Sequence, residues 1–464
     1  MQIKNICCIG AGYVGGPSMA VIALMCPEIK VTVVDINADR ISSWNGPLDG
    51  LPIYEPGLSE IVKKTRGRNL FFSTQIDRSI DEAEMIFMAV NTPTKTKGEG
   101  AGMAADLCYV EESAKNIERV SKTDKIVIEK STLPVRTAEK IKQILNKNSK
   151  NISFEVLSNP EFLAEGTAIQ DLFKSDRVLI GGDDTVSGKI AVQSLVDIYT
   201  KWIPKEKILT TDIWTSELSK LASNAMLAQR ISSINSLSAL CEKTQANIDE
   251  LSLAIGMDHR IGSKFLKASA GFGGSCFKKD ILNLVYLCNY YGLDKVAEYW
   301  HQVLNINDFQ KNRFVKKIIN KLGGDIKEKQ ITILGWAFKP ETNDSRESPS
   351  ILIAHELLQA GAKISIYDPM VSESRIYSDM KELWNCKKIN QNIQNSFFKN
   401  LKVLSNHKLA LENAYSIVIQ TPWDEFKNYD WKKISKSLLN KGFIFDSNRI
   451  LKDINLDNIY FLGI

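Results

Sequence analysis

Apolar residues fall along this chain in two alternating rhythms. Short runs at Ile3–Ile9, Lys30–Asp35, Met85–Val90, Lys125–Glu129 and Phe154–Leu157 predict buried strands. Between them, Pro17–Met25, Ala105–Val120 and Thr137–Lys147 predict helices. Such alternation predicts a doubly wound parallel sheet. Residues 211–244 break the rhythm: they hold no Gly or Pro, and Trp214, Leu218, Leu221, Ala222, Ala225 and Leu227 begin a pattern of helical spacing. This predicts one long helix, followed by further helices to about residue 320. Near residue 325 the alternation resumes, with strands at Gln330–Leu334, Lys363–Tyr367, Ser416–Gln420 and Phe443–Asp446 and a helix at Ser350–Gln359. The polar stretch Lys381–Lys402 predicts a loop-rich insertion. The expected fold class is α/β: two Rossmann-like doubly wound parallel-sheet domains joined by a long central helix and a helical middle region. The expected limits are 1–210, 211–324 and 325–464.

Composition narrows the function classes. The 464 residues, 44% hydrophobic and 24% charged, match an ordinary globular protein of two or three domains. A net charge of +5, with no clustered Lys/Arg stripe, points away from nucleic acid but leaves cations for an anionic small molecule. The eight cysteines form no CxxC, and with four histidines no zinc spacing occurs, so no metal is expected. No secretory leader is read at the start, and the run Met19–Cys26 is too short to span a bilayer. Free thiols then suggest a reducing cytoplasm.

Two motifs carry chemistry. Gly10, Gly12 and Gly15 follow the first predicted strand and open a helix, the context in which backbone N–H groups receive a pyrophosphate. Asp35, twenty residues beyond Gly15, ends the second strand, where an acid binds the adenosine ribose and disfavours NADP. The nearby Arg40 tempers that preference. The second motif is the glycine-rich turn Gly271–Ser275 ahead of Cys276, with Lys278, Lys279 and Asp280 beyond. A loop entering a helix beside lysines favours a thiolate. A thiolate adds to an aldehyde, and the thiohemiacetal can lose a second hydride. The pairing suggests an enzyme that carries an alcohol past the aldehyde to an acid.

Other positions have two readings each. Lys220 and Asn224 are four apart on the long helix, so both can hold an oxyanion, yet Lys220 fits a solvated cation as well. Glu161 and Glu165 lie in a Pro-containing turn after a strand, as general-base candidates or as exposed loop acids. Val90, Asn91, Thr92, Pro93 and Thr94, and the segment Glu129–Thr132, follow strands and either line a cofactor groove or are short polar loops.

Together these segments resemble the UDP-glucose 6-dehydrogenases of the UDP-glucose/GDP-mannose dehydrogenase family, and the animal-type enzymes most. The likeness is carried by Cys7–Pro17, Leu157–Ile169, Ala228–Ser236, Gly271–Asp280 and Phe443–Asp446. It implies oxidation of UDP-glucose by two NAD to UDP-glucuronate, with GDP-mannose or UDP-N-acetylmannosamine as alternative substrates. It implies that Cys276 forms the thiohemiacetal and thioester, assisted by Lys220 and Asp280, with Glu161 and Thr132 at hydrolysis and Asn224 at the oxyanion. NAD contacts are implied at Gly10, Gly12, Tyr13, Val14, Gly15, Asp35, Arg40, Val90, Asn91, Thr92, Pro93, Thr94, Ser131, Thr132, Glu165, Cys276 and Arg346. Substrate contacts are implied at Glu161, Phe162, Leu163, Ala164, Glu165, Lys220, Asn224, Lys267, Phe272, Gly273, Phe338 and Lys339. Arg260 is implied to reach a neighbouring subunit's site, giving a homodimer at least, or a hexamer built as a trimer of dimers. Trp336 departs from the family's usual Phe, and Asp446–Arg449 from its Asp-Gly-Arg, which leaves Arg449 as the expected substrate arginine. The sequence stops at Ile464, short of the tail of animal-type relatives, and the likeness leaves UDP-xylose feedback, found in some members, open.

Overall fold

The computed structural model describes residues 3–147 and 151–463. The chain divides into two compact units, Met1–Ser223 with Leu282–Gly292, and Asn224–Ile281 with Leu293–Ile464.

The first unit is built on eight strands: β1 (Asn5–Ile9), β2 (Lys30–Val34), β3 (Leu70–Ser73), β4 (Met85–Met88), β5 (Lys125–Glu129), β6 (Phe154–Ser158), β7 (Val178–Gly181) and β8 (Ile208–Thr211). Their order is β3-β2-β1-β4-β5-β6-β7-β8. All neighbours pair in parallel except β6 and β7, which meet antiparallel at Ser158 and Gly181. Alternate residues feed two cores. Ile6, Cys8, Val31, Val33, Met85 and Phe87 pack on one face, and Cys7, Ile9, Val34, Ile86 and Met88 on the other. Burial on both faces explains why these strands are continuous apolar runs rather than alternating ones.

The second unit's sheet holds β9 (Gln330–Leu334), β10 (Lys363–Tyr367), β11 (Leu401–Val403), β12 (Ser416–Ile419), β13 (Ile444–Asp446) and β14 (Ile459–Phe461), ordered β11-β10-β9-β12-β13-β14 and all parallel. Two long helices, Ile213–Thr244 and Asp294–Lys321, bear out the helical middle of the chain.

Two expectations change. Residues 381–402 are not a loop-rich insertion: helices Glu373–Cys386 and Gln391–Lys399 lead into β11. The buried Trp384 explains this, because its ring packs on Phe397 and Phe398 at 5.3 and 4.7 Å and gives two polar helices a common core. The long helix also has a mixed stripe. Leu221 and Ala225 are fully buried, whereas Trp214 and Leu218 are each 44% exposed. Among the described residues no helix is long and apolar enough to cross a membrane.

Candidate active site

The first unit carries the glycine loop. Gly10 leaves β1 with φ +109°, and a Cβ there would sit 2.3 Å from the Ala89 carbonyl oxygen, so only glycine fits. Helix Gly15–Met25 starts after Val14, and Tyr13 and Val14 are half-buried beside it. A Cβ on Gly12 would meet nothing within 4 Å, which leaves the loop surface open to a close-lying phosphate. The Asp35 carboxylate accepts the N–H groups of Ala11 and Asn37, both at 2.9 Å, and the Arg40 guanidinium at 3.0 Å. Asp35 is buried and Arg40 partly exposed, so the two expected ribose-side residues form one ion pair at the end of β2. The loops after β4 and β5 are stitched together. Ser131 donates to the Val90 carbonyl at 2.6 Å, Thr92 to that of Thr132 at 3.1 Å, and the Asp106 N–H to that of Pro93 at 2.7 Å. Asn91 and Thr94 lie in the same stretch, with Thr94 bridged to Ala105. These residues fit a dinucleotide: an open glycine turn at a helix start, an acid at the next strand end, and loops that wall the same sheet edge.

Glu161 follows β6, and the structure shows what holds it. Its carboxylate accepts the N–H groups of Phe162 and Leu163 at 2.9 and 3.2 Å, the Ser18 hydroxyl at 3.4 Å, and the Lys130 ammonium at 2.8 Å. Lys130 is itself buried, donating to Asn159 and Tyr199 at 3.0 and 3.2 Å. Burial pushes the Glu161 carboxyl up, but the Lys130 ammonium, the backbone donor and Lys220 outweigh it and hold the group below the usual carboxylate range. The Lys130 ammonium is raised despite its burial, through Glu161 and Tyr199. Glu161 is therefore ionised at neutral pH. The Phe162 ring is contacted by two cations, with the Arg177 guanidinium 3.9 Å and the Lys220 ammonium 5.3 Å from its centroid. Lys220 is buried, which removes the solvated-cation reading. Leu163 and Glu165 are half-buried and Ala164 exposed. Sequence reasoning passes over Lys130 and Arg177. Lys130 sits in a segment it does single out, but nothing in the sequence distinguishes a buried lysine from a surface one.

The second unit carries the thiol. Cys276 is exposed and immediately precedes helix Phe277–Tyr290; its carbonyl accepts the Asp280 N–H at 2.8 Å, and its sulfur lies 3.5 Å from the Ser275 hydroxyl. Five other thiols, Cys7, Cys8, Cys26, Cys241 and Cys288, are buried, whereas Cys108 and Cys386 are exposed like Cys276. Burial pushes Cys7 up to about 12 and Cys26 to about 11, and it holds Cys8 well above its ordinary value. The Gly271–Cys276 loop is held from several sides. Phe272 is gripped by Asn307, which accepts its N–H at 2.8 Å and donates to its carbonyl at 3.2 Å. The Gly274 N–H donates to the Arg346 carbonyl at 2.8 Å. A Cβ on Gly273 would come 2.6 Å from the Glu347 carbonyl oxygen. Phe338 therefore lies against the loop, with the Lys339 ammonium 5.5 Å from its ring centroid. The buried Asp280 accepts the Asn224 amide at 2.6 Å, fixing how that amide points. Arg346 forks onto Asp344, with contacts of 2.7 to 3.1 Å.

Farther along the same unit, a cavity of about 190 Å³ is lined by Lys267, Arg449, Lys452, Asp249, Ser252 and Ser263. Arg449 is buried and donates to Asp249 at 2.7 Å and to the Leu462 carbonyl at 3.1 Å. Arg260 is 78% exposed and forks onto Asp258 two residues away, with the shortest contact 2.6 Å.

The comparisons with known proteins follow the same order along the chain. The NAD binding domain of the UDP-glucose/GDP-mannose dehydrogenase family matches residues 4–203, the family's central domain residues 214–309, and its UDP binding domain residues 332–453. UDP-glucose 6-dehydrogenase 3 of Oryza sativa subsp. japonica is 55% identical over 461 residues, covering 99% of this chain and 96% of the relative. UDP-glucose 6-dehydrogenase of Gallus gallus is 56% identical over 455 residues, covering 98% and 90%. Among solved structures, a UDP-glucose dehydrogenase from the hyperthermophilic archaeon Pyrobaculum islandicum aligns with a TM-score of 0.82 at 28% identity, covering 100% of this chain and 98% of that one. With three family domains in sequence and relatives matching almost end to end, the chain belongs to the UDP-glucose/GDP-mannose dehydrogenase family.

Proposed function

We propose that this protein oxidises UDP-glucose to UDP-glucuronate, consuming two NAD and one water, through a thioester on Cys276. The observation that carries the reading is 54% to 55% identity to UDP-glucose 6-dehydrogenases over nearly the whole chain. NAD, when bound, supplies a hydride-accepting nicotinamide for both oxidations. The first oxidation turns the C6 alcohol into an aldehyde. The Cys276 thiolate then adds to the aldehyde carbon, giving a thiohemiacetal whose oxyanion Lys220 and Asn224 stabilise. The second oxidation leaves a thioester. Water attacks its carbonyl, the thiol leaves, and the acid is free. Glu161, ionised through Lys130, orients that water, with Thr132 beside it. Asp280 acts through its hydrogen bond to Asn224.

The remaining assignments rest on the resemblance and on chemistry. Residues 1–210 hold NAD, residues 325–464 hold the UDP group, and residues 211–324 join them. Lys339, Lys267 and Arg449 are the cations suited to a diphosphate. Arg260 completes a neighbouring subunit's site, so the protein works as a homodimer at least, and the cytoplasm suits its free thiols. Identities of 55% to the rice enzyme and 56% to the chicken enzyme set no animal-type lean apart.

The test is an electron count across a panel of nucleotide sugars. Two NADH per UDP-glucose, with an acid product, is the expected result. One NADH per sugar, or a preference for GDP-mannose or UDP-N-acetylmannosamine, would overturn the reading.

A further inference from the structure

Behind the loops expected to hold NAD lies a pair of buried acids that the proposed reaction does not use. Glu129 is the last residue of β5 and is 1% exposed. Its backbone is fixed by pairing with Met88 and Ser158 on either side, and its carbonyl accepts the Asn159 N–H at 2.9 Å. Its side chain is not so well provided for. Among the described residues no donor reaches either carboxyl oxygen. What faces them is another acid, Glu217 on helix Ile213–Thr244, itself buried. Glu217 is already engaged: it accepts the N–H groups of Arg136 and Ala138, both at 2.8 Å, at the start of helix Thr137–Leu145.

The other charges nearby leave the pair alone. Lys142, on that same helix, acts on Glu129 only at a distance and is bonded to Asp183 at 2.6 Å. The Arg136 guanidinium is turned to Glu139 at 2.9 Å and to the Trp214 ring. The Lys130 ammonium is taken by Glu161.

Two carboxylates cannot face each other, ionised, in a dry interior. A proton on Glu129 resolves both the missing donor and the repulsion. It turns an orphaned acceptor into a hydroxyl that donates to Glu217. Burial, then the Glu217 charge, holds the Glu129 carboxyl well above the usual carboxylate range. Burial also raises Glu217, offset in part by its backbone donors.

We propose that Glu129 and Glu217 are positioning residues: one shared proton ties the end of β5, and with it Ser131 and Thr132, to the long helix and to the start of helix Thr137–Leu145, and its loss in alkali weakens NAD binding. Glu129→Gln is the discriminating variant, because its amide donates to Glu217 and has no proton to lose. In the unfolded chain a glutamate ionises near about pH 4.3. A raised folded-state value therefore gives stability that is present below that pH and declines as pH rises toward the folded value. Glu129→Gln should accordingly unfold at a higher temperature than the wild type at about pH 7.5, with a gap that closes as pH falls toward about 4.5.

The functional test is NAD affinity of the full chain, titrated from about pH 6.5 to about pH 9.5. The wild type should lose about tenfold in affinity toward the alkaline end, equivalent to about 1.4 kcal/mol. Glu129→Gln should keep the neutral-pH affinity within about threefold and stay flat. Glu129→Ala, with no donor, should bind weakly throughout. A Glu129→Gln variant that follows the wild-type decline, or a Glu129→Ala variant indistinguishable from it, would overturn the proposal. Should Glu129→Ala fail to fold, the Glu129→Gln profile decides alone. The idea rests on NAD occupying this groove. A wild type that binds no NAD at any pH would sink that reading, whereas binding with no alkaline decline would sink only the shared-proton device.

Discussion

The two sheets share a strand order and part company at their first turn. Strands β1 to β6 and β9 to β14 follow the same sequence of neighbours, and each first strand leaves through a glycine with positive φ, +109° at Gly10 and +95° at Gly335. Each next strand is followed by an aspartate. Asp35 accepts two backbone N–H groups and shares its charge with a partly exposed Arg40. Asp368 accepts five donors: the N–H groups of Trp336, Ala337, Met370 and Val371, and the Trp423 indole, at 2.6 to 3.1 Å. Where the first sheet has an open glycine turn, the second has Trp336, with no exposed surface. One backbone plan thus serves two ends. Both acids are buried, but in the first unit the turn is left open and its acid keeps a partly exposed cation beside it; in the second the acid is consumed in holding the fold, and protein side chains fill the equivalent slot.

The comparison can be broken by substitution. The largest expected effect lies in neither turn: Cys276→Ser should reduce acid formation by at least about a thousandfold while leaving NAD binding nearly intact, as loss of a covalent nucleophile does. Product formation at the wild-type rate would remove the thiol from the mechanism. Next come the two aspartates. Asp368→Ala strands several buried donors and should destabilise the protein by about 4 kcal/mol, read by denaturant unfolding, without altering cofactor choice. Asp35→Ala should do the reverse, with stability lowered by about 1 kcal/mol and discrimination against NADP relaxed. Equal stability losses would erase the distinction drawn between the two units.

Lys130→Met should remove about 3 kcal/mol at neutral pH, since it takes the ion-pair partner from the largely buried Glu161 and leaves only its hydrogen bonds and the Lys220 charge. The sign of its pH dependence follows from both partners. A lowered Glu161 contributes stability above about pH 4.3 that is lost as pH falls through its folded value, and a raised Lys130 contributes below about pH 10.4. The gap between wild type and variant should therefore be flat between those limits and close in acid; a gap that widens in acid would contradict the pairing. The mildest change is Gly12→Ala. Its new methyl meets no protein atom, so stability should hold while NAD affinity falls by about tenfold. Unfolding of that variant would show that the turn is structural in both sheets.

Much of this was legible in the sequence, and the exceptions have physical causes. The apolar runs located most of the central strands, because strands buried on both faces carry their signal in composition alone. Short edge strands such as Leu401–Val403 and Ile459–Phe461 escaped, since three residues have no period to read. The helices within residues 381–402 escaped because their core is aromatic contact between distant positions rather than a continuous stripe. Among the candidate residues, Gly10–Gly15, Asp35, Glu161 and Cys276 announced themselves through turn chemistry and spacing. The partners that tune them did not. Lys130, Asn307 and Glu217 are joined to the positions they act on only by the fold, across 31 residues from Lys130 to Glu161 and 35 from Phe272 to Asn307.

The central claim, that one sulfur holds the half-oxidised sugar, is best tested by trapping it. A Glu161→Gln variant of the full chain, impaired in releasing the acyl group, would be mixed with NAD and UDP-glucose, quenched in acid and mapped by peptide mass. The account predicts a nucleotide-sugar acyl adduct on the peptide containing Cys276 that disappears when Cys276→Ser is added. Acid product accumulating with that peptide unmodified, or an adduct on another residue, would contradict it.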